Sequence, residues 1–313
     1  MRIVFEPKVA EHEPSLYTSD KRANIIDGWG NINEDVMSQY KKDGYLIIGN
    51  AFTNAEVEAA KEELKMMTLA DDPQCESVYF EGSLRDLLAA DLEKSNEAEK
   101  SKDEKSKLAL GAVGEELPNL PNATRAHYVR KFMGFTEQHL PLKRLATHEE
   151  LIKLMQTLCG TEDIELFQEM AMIKPPGGRE KPWHQDHAYF NYPLTTSIIG
   201  VWIALGDVDE KNGCMYLVPG AHKEGPISHF MKRDWQICDT EIYYALAGKR
   251  VCAPMKAGDV LIFDSKLPHG TPKNNTDEYR WAVQLHYKGT RAVPCTDEQR
   301  LEVFGSEGKN VSC

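Results

Sequence analysis

A mainly β fold with flanking helices, its strands wrapped as a jelly-roll sandwich or open barrel, is what these 313 residues predict. Three observations carry the expectation. Helix signals, with apolar positions three and four apart, fall before residue 160. From about residue 163 the apolar period changes to two. Turn residues then recur between short apolar runs, as they do in all-β domains.

Taken in order, residues 1 to about 30 are polar and read as an irregular lead-in. Asn33 caps a first helix, whose opening turn is acidic as the helix dipole prefers and which ends near Asp43-Gly44. Residues 45–49 follow as a short buried strand. Over 53–67, Thr53 and Glu56 form a capping box, and Val57, Ala60, Leu64 and Met67 fall on one face of a packing helix. The run at 91–107 is charged and of low complexity, so it is expected to be a mobile insertion, with a substrate lid as the sharper alternative. Two further helices are expected over 127–133 and 147–158, the second capped by Thr147 and ended by Cys159-Gly160.

Strands then follow at 163–174, stopped by Pro175-Pro176-Gly177-Gly178, and at 196–205, which is almost wholly apolar. Asn212-Gly213 turns the chain back into 214–218, and further strands occupy 258–263 and 280–287. One domain is expected over 1–313. It has a mostly helical part to 160, a jelly-roll core over 161–290 and a C-terminal tail over 291–313.

Composition limits the partners. Lys and Arg total 37 against 49 Asp and Glu, a net charge of -12, which disfavours nucleic acid and anionic membranes. There is no apolar run long enough to span a bilayer, and the opening residues lack a signal-peptide profile, so a cytoplasmic protein is expected. The seven cysteines are scattered without a CxxC pair, which signals neither a disulfide framework nor zinc.

The chemistry is concentrated in Trp183-His184-Gln185-Asp186-His187 and in a distant Pro268-His269-Gly270. Side chains two apart in an extended segment share a side, so His184 and Asp186 can reach one ion. With His269 they make a two-His-one-carboxylate set, which on non-heme Fe(II) leaves positions open for an oxidant and O₂. Gln185 points elsewhere, suited to orienting a ligand or touching a co-substrate. On 280–287, Arg280, Ala282, Gln284 and His286 share one face, and Arg280 is placed to hold a carboxylate bidentately with Thr271 adding a hydroxyl. Candidate substrate residues are Gln168, Met170, His187, Gln284 and His286, each weighed against plain core packing or local hydrogen bonding. Trp202 is ordinary core by composition, and His222 with Glu224 reads as a turn rather than a second metal pair.

An ordered series of motifs resembles the phytanoyl-CoA dioxygenase family, within the Fe(II)/2-oxoglutarate dioxygenases built on a double-stranded β-helix. The series is Lys174-Pro175-Pro176-Gly177, Trp183-His184-Gln185-Asp186 with Tyr189-Phe190, Val201-Trp202-Ile203-Ala204-Leu205, Asn212-Gly213-Cys214-Met215, Val218-Pro219-Gly220-Ala221-His222, Gly258-Asp259-Val260-Leu261-Ile262-Phe263, His269-Gly270 and Arg280. Lys42-Asp43-Gly44-Tyr45-Leu46-Ile47-Ile48 is similar to that family's entry segment, while residues 70–160 add little.

The resemblance implies that His184, Asp186 and His269 bind iron and that Arg280 with Thr271 holds the distal carboxylate of 2-oxoglutarate. It places Gln185 and Trp202 where they contact that co-substrate or close its pocket, and leaves Arg130 and Lys131 as candidates for a contact from the helical part. Halogenases of the wider group carry a small residue in place of the carboxylate, so Asp186 implies a hydroxylase. The implied reaction uses Fe(II), 2-oxoglutarate and O₂ to hydroxylate an unactivated C–H bond of a small molecule, releasing succinate and CO₂. A non-catalytic metal- or ligand-binding relative and a cupin-type metalloenzyme using no keto acid stay open as alternatives, and neither requires Arg280 and Thr271. Substrate identity and oligomeric state are left open.

Overall fold

The computed structural model describes residues 1–5, 11–81, 122–242 and 246–311. The insertion expected around 91–107 lies outside the described residues. In chain order the strands are β1 (Arg2–Phe5), β2 (Ile25–Asp27), β3 (Tyr45–Gly49), β4 (Ser77–Phe80) and β5 (Val129–Met133). Next come β6 (Ile164–Lys174), β7 (Lys181–His184), β8 (Ile198–Ala204), β9 (Met215–Leu217) and β10 (His229–Phe230). The last are β11 (Gln236–Ile237), β12 (Val251–Ala253), β13 (Val260–Asp264), β14 (His269–Thr271) and β15 (Arg280–Gly289). Helices α1 (Glu34–Asp43), α2 (Asn54–Leu69), α3 (Asn122–His127), α4 (Leu140–Ala146), α5 (Glu149–Cys159) and α6 (Asp297–Phe304) flank them.

The strands make the jelly roll that the sequence predicts. A nine-stranded sheet runs β1-β4-β5-β6-β15-β8-β13-β3-β2 and faces a four-stranded sheet, β12-β9-β14-β7. Period two divides each central strand between two cores. Val260 and Ile262 of β13 join Val57, Leu64, Leu151 and Met155 of the helices on the outer face. Leu261 and Phe263 point the other way, meeting Trp183, Tyr216 and Leu217 between the sheets. A strand buried on both faces must be apolar throughout, which is why β8 reads Ile-Ile-Gly-Val-Trp-Ile-Ala.

Local chemistry sets the helix ends. Asn33 accepts from the Val36 N–H, the Thr53–Glu56 capping box forms, and left-handed Gly44 and Gly160 close α1 and α5.

Several expectations need correction. The N-terminal part is less helical than expected, because β1 to β5 all enter the large sheet. Residues 129–133 form a strand instead of a helix, since pairing with both β4 and β6 satisfies a backbone that a short helix would leave half-bonded. Helix α5 starts after His148, which makes no side-chain cap bond, so the Thr147 cap is absent. Asn212-Gly213 does not close a hairpin: it carries the chain from β8 in the large sheet to β9 in the small one. The C-terminal segment is also more than a tail, for α6 carries its own capping box from Thr296 to Gln299.

Candidate active site

Two residues 85 positions apart become neighbours by strand pairing: β14 runs antiparallel to β7 with His269 directly opposite His184, their rings 4.3 Å apart. Trp183 anchors this strand, donating from Nε1 to the Leu16 carbonyl and stacking on Tyr17. Beyond His184 the chain tightens into a 3-10 turn at Asp186–Tyr189, which swings Asp186 toward both imidazoles. Its Oδ1 lies 3.2 Å from His184 Nε2 and 3.5 Å from His269 Nε2.

The tautomers follow from the backbone. His184 Nδ1 donates to the Pro182 carbonyl at 2.6 Å and His269 Nδ1 to the Leu267 carbonyl at 2.9 Å, so each Nε2 turns a bare lone pair to the centre. Burial, reinforced by His269, pushes His184 down to about 4, so it is neutral at pH 7. Burial alone would raise the Asp186 carboxyl, but His269 and His286 outweigh it and hold it well below the usual range. His184 Nε2 and His269 Nε2 thus meet Asp186 Oδ1 at one point, a donor set that a cation would satisfy. Their spacing suits one ion, since bonds of about 2.0–2.2 Å set adjacent ligand atoms roughly 3 Å apart. Among the described residues, this is the one group of three or more His, Cys, Asp or Glu whose ligand atoms lie within 4.8 Å of one another.

The same cavity holds a buried cation. Arg280, 3% exposed, opens β15 with its guanidinium over the Trp202 ring at 5.2 Å. Its Nε and Nη1 meet no hydrogen-bond partner among the described residues. Burial, with the Arg130 charge added, draws its pKa down to about 9. The group stays charged at neutral pH, so the depression measures a missing counter-ion that a carboxylate would supply. Thr271 lines the cavity beside it and accepts from Lys174 Nζ at 2.8 Å. Burial, then the Arg280 and Arg130 charges, lowers the Lys174 pKa well below its usual value.

Most other expected site residues also reach this cavity. Trp202, Gln168, Met170, Gln284, Arg130 and Lys131 line it. Gln168 presents a buried Oε1 that has no partner among the described residues. Three expectations are corrected. Gln185 faces away, its amide spanning the Gly225 and Lys266 carbonyls and the Ile227 N–H, which spends its polar atoms on loop fixing instead of on a co-substrate. His187 is likewise turned out of the cavity, bonded to Ser265 Oγ and the Tyr192 and Pro193 carbonyls. His286 sits behind Asp186 with Nε2 2.8 Å from Oδ2, so that nitrogen is taken and does not meet substrate.

Sequence reasoning missed several supports. Arg300 of α6 is buried and donates to the Ala188 carbonyl and to Asn191 Oδ1, bracing the turn that carries Asp186. His229 Nε2 accepts the Gln185 N–H between the two ligands. Lys181 reaches Tyr189 Oη and Asp234 Oδ2 at the rim; burial opposes its charge, but Asp234 and Tyr189 hold its pKa above the usual value. No sequence signal marked these: Lys181 directly follows Arg179-Glu180 and Arg300 follows Asp297-Glu298-Gln299, so each reads as one more charge in a charged, exposed stretch.

A family model described as phytanoyl-CoA dioxygenase (PhyH) matches residues 40–282. "Phytanoyl-CoA dioxygenase, peroxisomal" of Rattus norvegicus is 28% identical over 193 residues, covering 59% of this chain and 54% of the rat protein. The chain therefore spans about half the length of the curated mammalian relatives it matches. EctD from S. alaskensis, solved with 2-oxoglutarate and 5-hydroxyectoine, shares the fold at a TM-score of 0.57 and 20% identity, over 98% of this chain and 87% of that one. SnoN, a non-heme alpha ketoglutarate dependent epimerase from nogalamycin biosynthesis, shares it at 0.56 and 21%, over 84% and 85%.

Proposed function

The chain belongs to the phytanoyl-CoA dioxygenase family, and on that premise we propose that it is an Fe(II)- and 2-oxoglutarate-dependent oxygenase that hydroxylates a C–H bond of a small molecule. One observation carries the proposal: the three bare ligand atoms of His184, Asp186 and His269 share a cavity with the uncompensated guanidinium of Arg280. Neither a bare ligand-binding jelly roll nor a metalloenzyme without a keto acid gives that cation a reason to be buried there.

Bound to the triad, Fe(II) with 2-oxoglutarate and O₂ supplies oxidative C–H chemistry, in which one oxygen atom enters the product and the other enters succinate as CO₂ leaves. The protein's part is placement. His184 and His269 offer neutral nitrogen donors and Asp186 an anionic oxygen, so a divalent ion keeps one net positive charge toward an incoming dianion. Arg280 would hold the distal carboxylate, and Thr271, whose oxygen already accepts from Lys174, would have its own proton to donate to it. Trp202 lies under the guanidinium and fixes its plane. Met170, Met172 and Phe190 give the cavity an apolar wall for the substrate's carbon skeleton, which also keeps bulk water from the reacting bond.

The retained carboxylate at Asp186 favours hydroxylation over halogenation. No helix among the described residues is long and apolar enough to cross a membrane. A reducing, cytoplasmic setting is part of the same reading, supported by the six described cysteines being free thiols.

Anaerobic titration of the apo-protein with Fe(II) and 2-oxoglutarate tests the proposal. A weak visible charge-transfer band is expected in wild type and not in His184→Ala, followed by succinate release with O₂ and substrate. Iron binding in wild type without that band would sink the keto-acid assignment.

A further inference from the structure

The two oxygens of Asp186 have different neighbours. Oδ1 faces His184 and His269 across 3.2 and 3.5 Å, whereas Oδ2 faces away, 2.8 Å from His286 Nε2 and 3.1 Å from Gln284 Nε2. Because a carboxylate can only accept, both nitrogens are donors, and together they occupy the two lone pairs of Oδ2. Neither donor is free to wander. His286 is wholly buried, with the Phe190 ring 5.0 Å and the Phe167 ring 6.2 Å from its own, and Gln284 sits in the middle of β15 between β6 and β8. His286 pairs with Gly200 across the sheet, and Gln284 with Trp202. The ligands thus come from the small sheet and its following turn, while the groups that aim one of them come from the large sheet.

We infer that His286 and Gln284 are positioning residues that confine Asp186 to binding the metal through Oδ1 alone. This rests on the proposed function. A facial set of two His and one carboxylate leaves room for both a chelating keto acid and O₂ only while the carboxylate contributes a single atom. Were Oδ2 to swing onto the ion, it would take a position that 2-oxoglutarate or O₂ needs. Turning the carboxylate that way breaks both hydrogen bonds to Oδ2 and leaves two buried donors without partners. The sheet-to-sheet contact therefore preserves vacancy at the metal, beyond any contribution to holding the ion.

The test separates metal binding from co-substrate binding. Wild type, His286→Gln and the double variant Gln284→Leu/His286→Phe are titrated anaerobically with Co(II), following its d–d absorption, and then with Fe(II) and 2-oxoglutarate, following the charge-transfer band. In the double variant we expect Co(II) still to bind, its spectrum to shift toward a higher coordination number, and 2-oxoglutarate to bind about 10-fold or more weakly. In His286→Gln, which keeps an N–H donor, we expect most of the wild-type spectrum and affinity to return. A double variant with wild-type Co(II) spectrum and 2-oxoglutarate affinity overturns the inference. So does one whose losses His286→Gln shares in full. If circular dichroism shows the double variant unfolded, Gln284→Leu takes its place: a shifted Co(II) spectrum supports the inference and an unchanged one overturns it. A wild-type protein that binds Co(II) yet gives no band with Fe(II) and 2-oxoglutarate refutes the proposed function instead, and the Co(II) comparison still decides the confinement of Asp186.

Discussion

Lys174 Nζ donates to Thr271 Oγ1 over 2.8 Å and to the Pro272 carbonyl over 2.5 Å, so a lysine buried in the sheet holds the hydroxyl that lies beside Arg280 in the cavity. The path between them is kept open by Gly213, where an added Cβ would stand 2.8 Å from the Pro272 oxygen and 3.1 Å from Lys174 Nζ. Lys174→Met is expected to release the hydroxyl and weaken 2-oxoglutarate binding by about 5- to 10-fold, the worth of one hydrogen bond, without changing Co(II) affinity. Isothermal titration with each ligand checks it, and equal losses for both would show a collapsed site instead.

Arg280→Ala should act on the same ligand more strongly. Removing a bidentate partner of a carboxylate costs about 1.5–3 kcal/mol, or roughly 10- to 150-fold in Kd. Arg280→Lys is expected to recover only part, because an ammonium cannot match both oxygens in one plane. If either variant bound 2-oxoglutarate like wild type, the anchor would lie elsewhere, with Arg130 next in the cavity.

How much of this was legible in the sequence depends on what each residue must agree with. That His184 and Asp186 face one centre was readable because Gln185 between them is extended, and period two likewise puts Arg280 and Gln284 on one face of β15, whereas the approach of His269 depends on strand pairing. Where a short run fits two periods, neighbours decide: residues 129–133 became β5 because β4 and β6 were there to pair with. Gln185 and His286 were misjudged for a related reason. A face can be inferred from spacing, but which of several polar groups on it is consumed by another side chain depends on contacts 40 or 100 residues away. The bracing by Arg300 was invisible because α6 has no pattern that states what it packs against.

Acid stability should carry the mark of His229. Burial pushes its pKa down to about 3, while its Nδ1 donates to the Ile227 carbonyl and its Nε2 accepts from Gln185. In the unfolded chain it titrates near 6.5. Between those values the unfolded state binds the extra proton, so stability falls as pH drops from about 6.5 toward 3, by at most about 1.4 kcal/mol per pH unit from this group. His229→Gln removes that term: its deficit relative to wild type should be largest near pH 7 and narrow toward pH 5. Urea unfolding at several pH values checks it, and a constant deficit would contradict the assignment.

Gly200→Ala should destabilise the fold. A Cβ there would meet the Phe263 ring at 2.4 Å, and that ring is fully buried with its centroid 4.8 Å from that of His269. Overpacking of this kind costs about 1–3 kcal/mol. Phe263→Leu in the same chain should return part of the loss, measurable by the denaturation midpoint, whereas additive losses would mean the two residues are not in conflict.

Strand β15 presents Arg280 at its start and, four residues on along the same face, the Gln284 that touches Asp186. At about 3.4 Å per residue this is roughly 14 Å of backbone, held rigid by hydrogen bonds to β6 and β8 on both edges. On the proposed function the strand is a measuring rod, with the carboxylate anchor at one graduation and the metal at another. A keto diacid one methylene shorter or longer reaches one mark and misses the other. Discrimination among co-substrate homologues is then set by where the main chain roots the two marks, and exchanging Met170 or Met172 in the cavity wall would leave that distance unchanged.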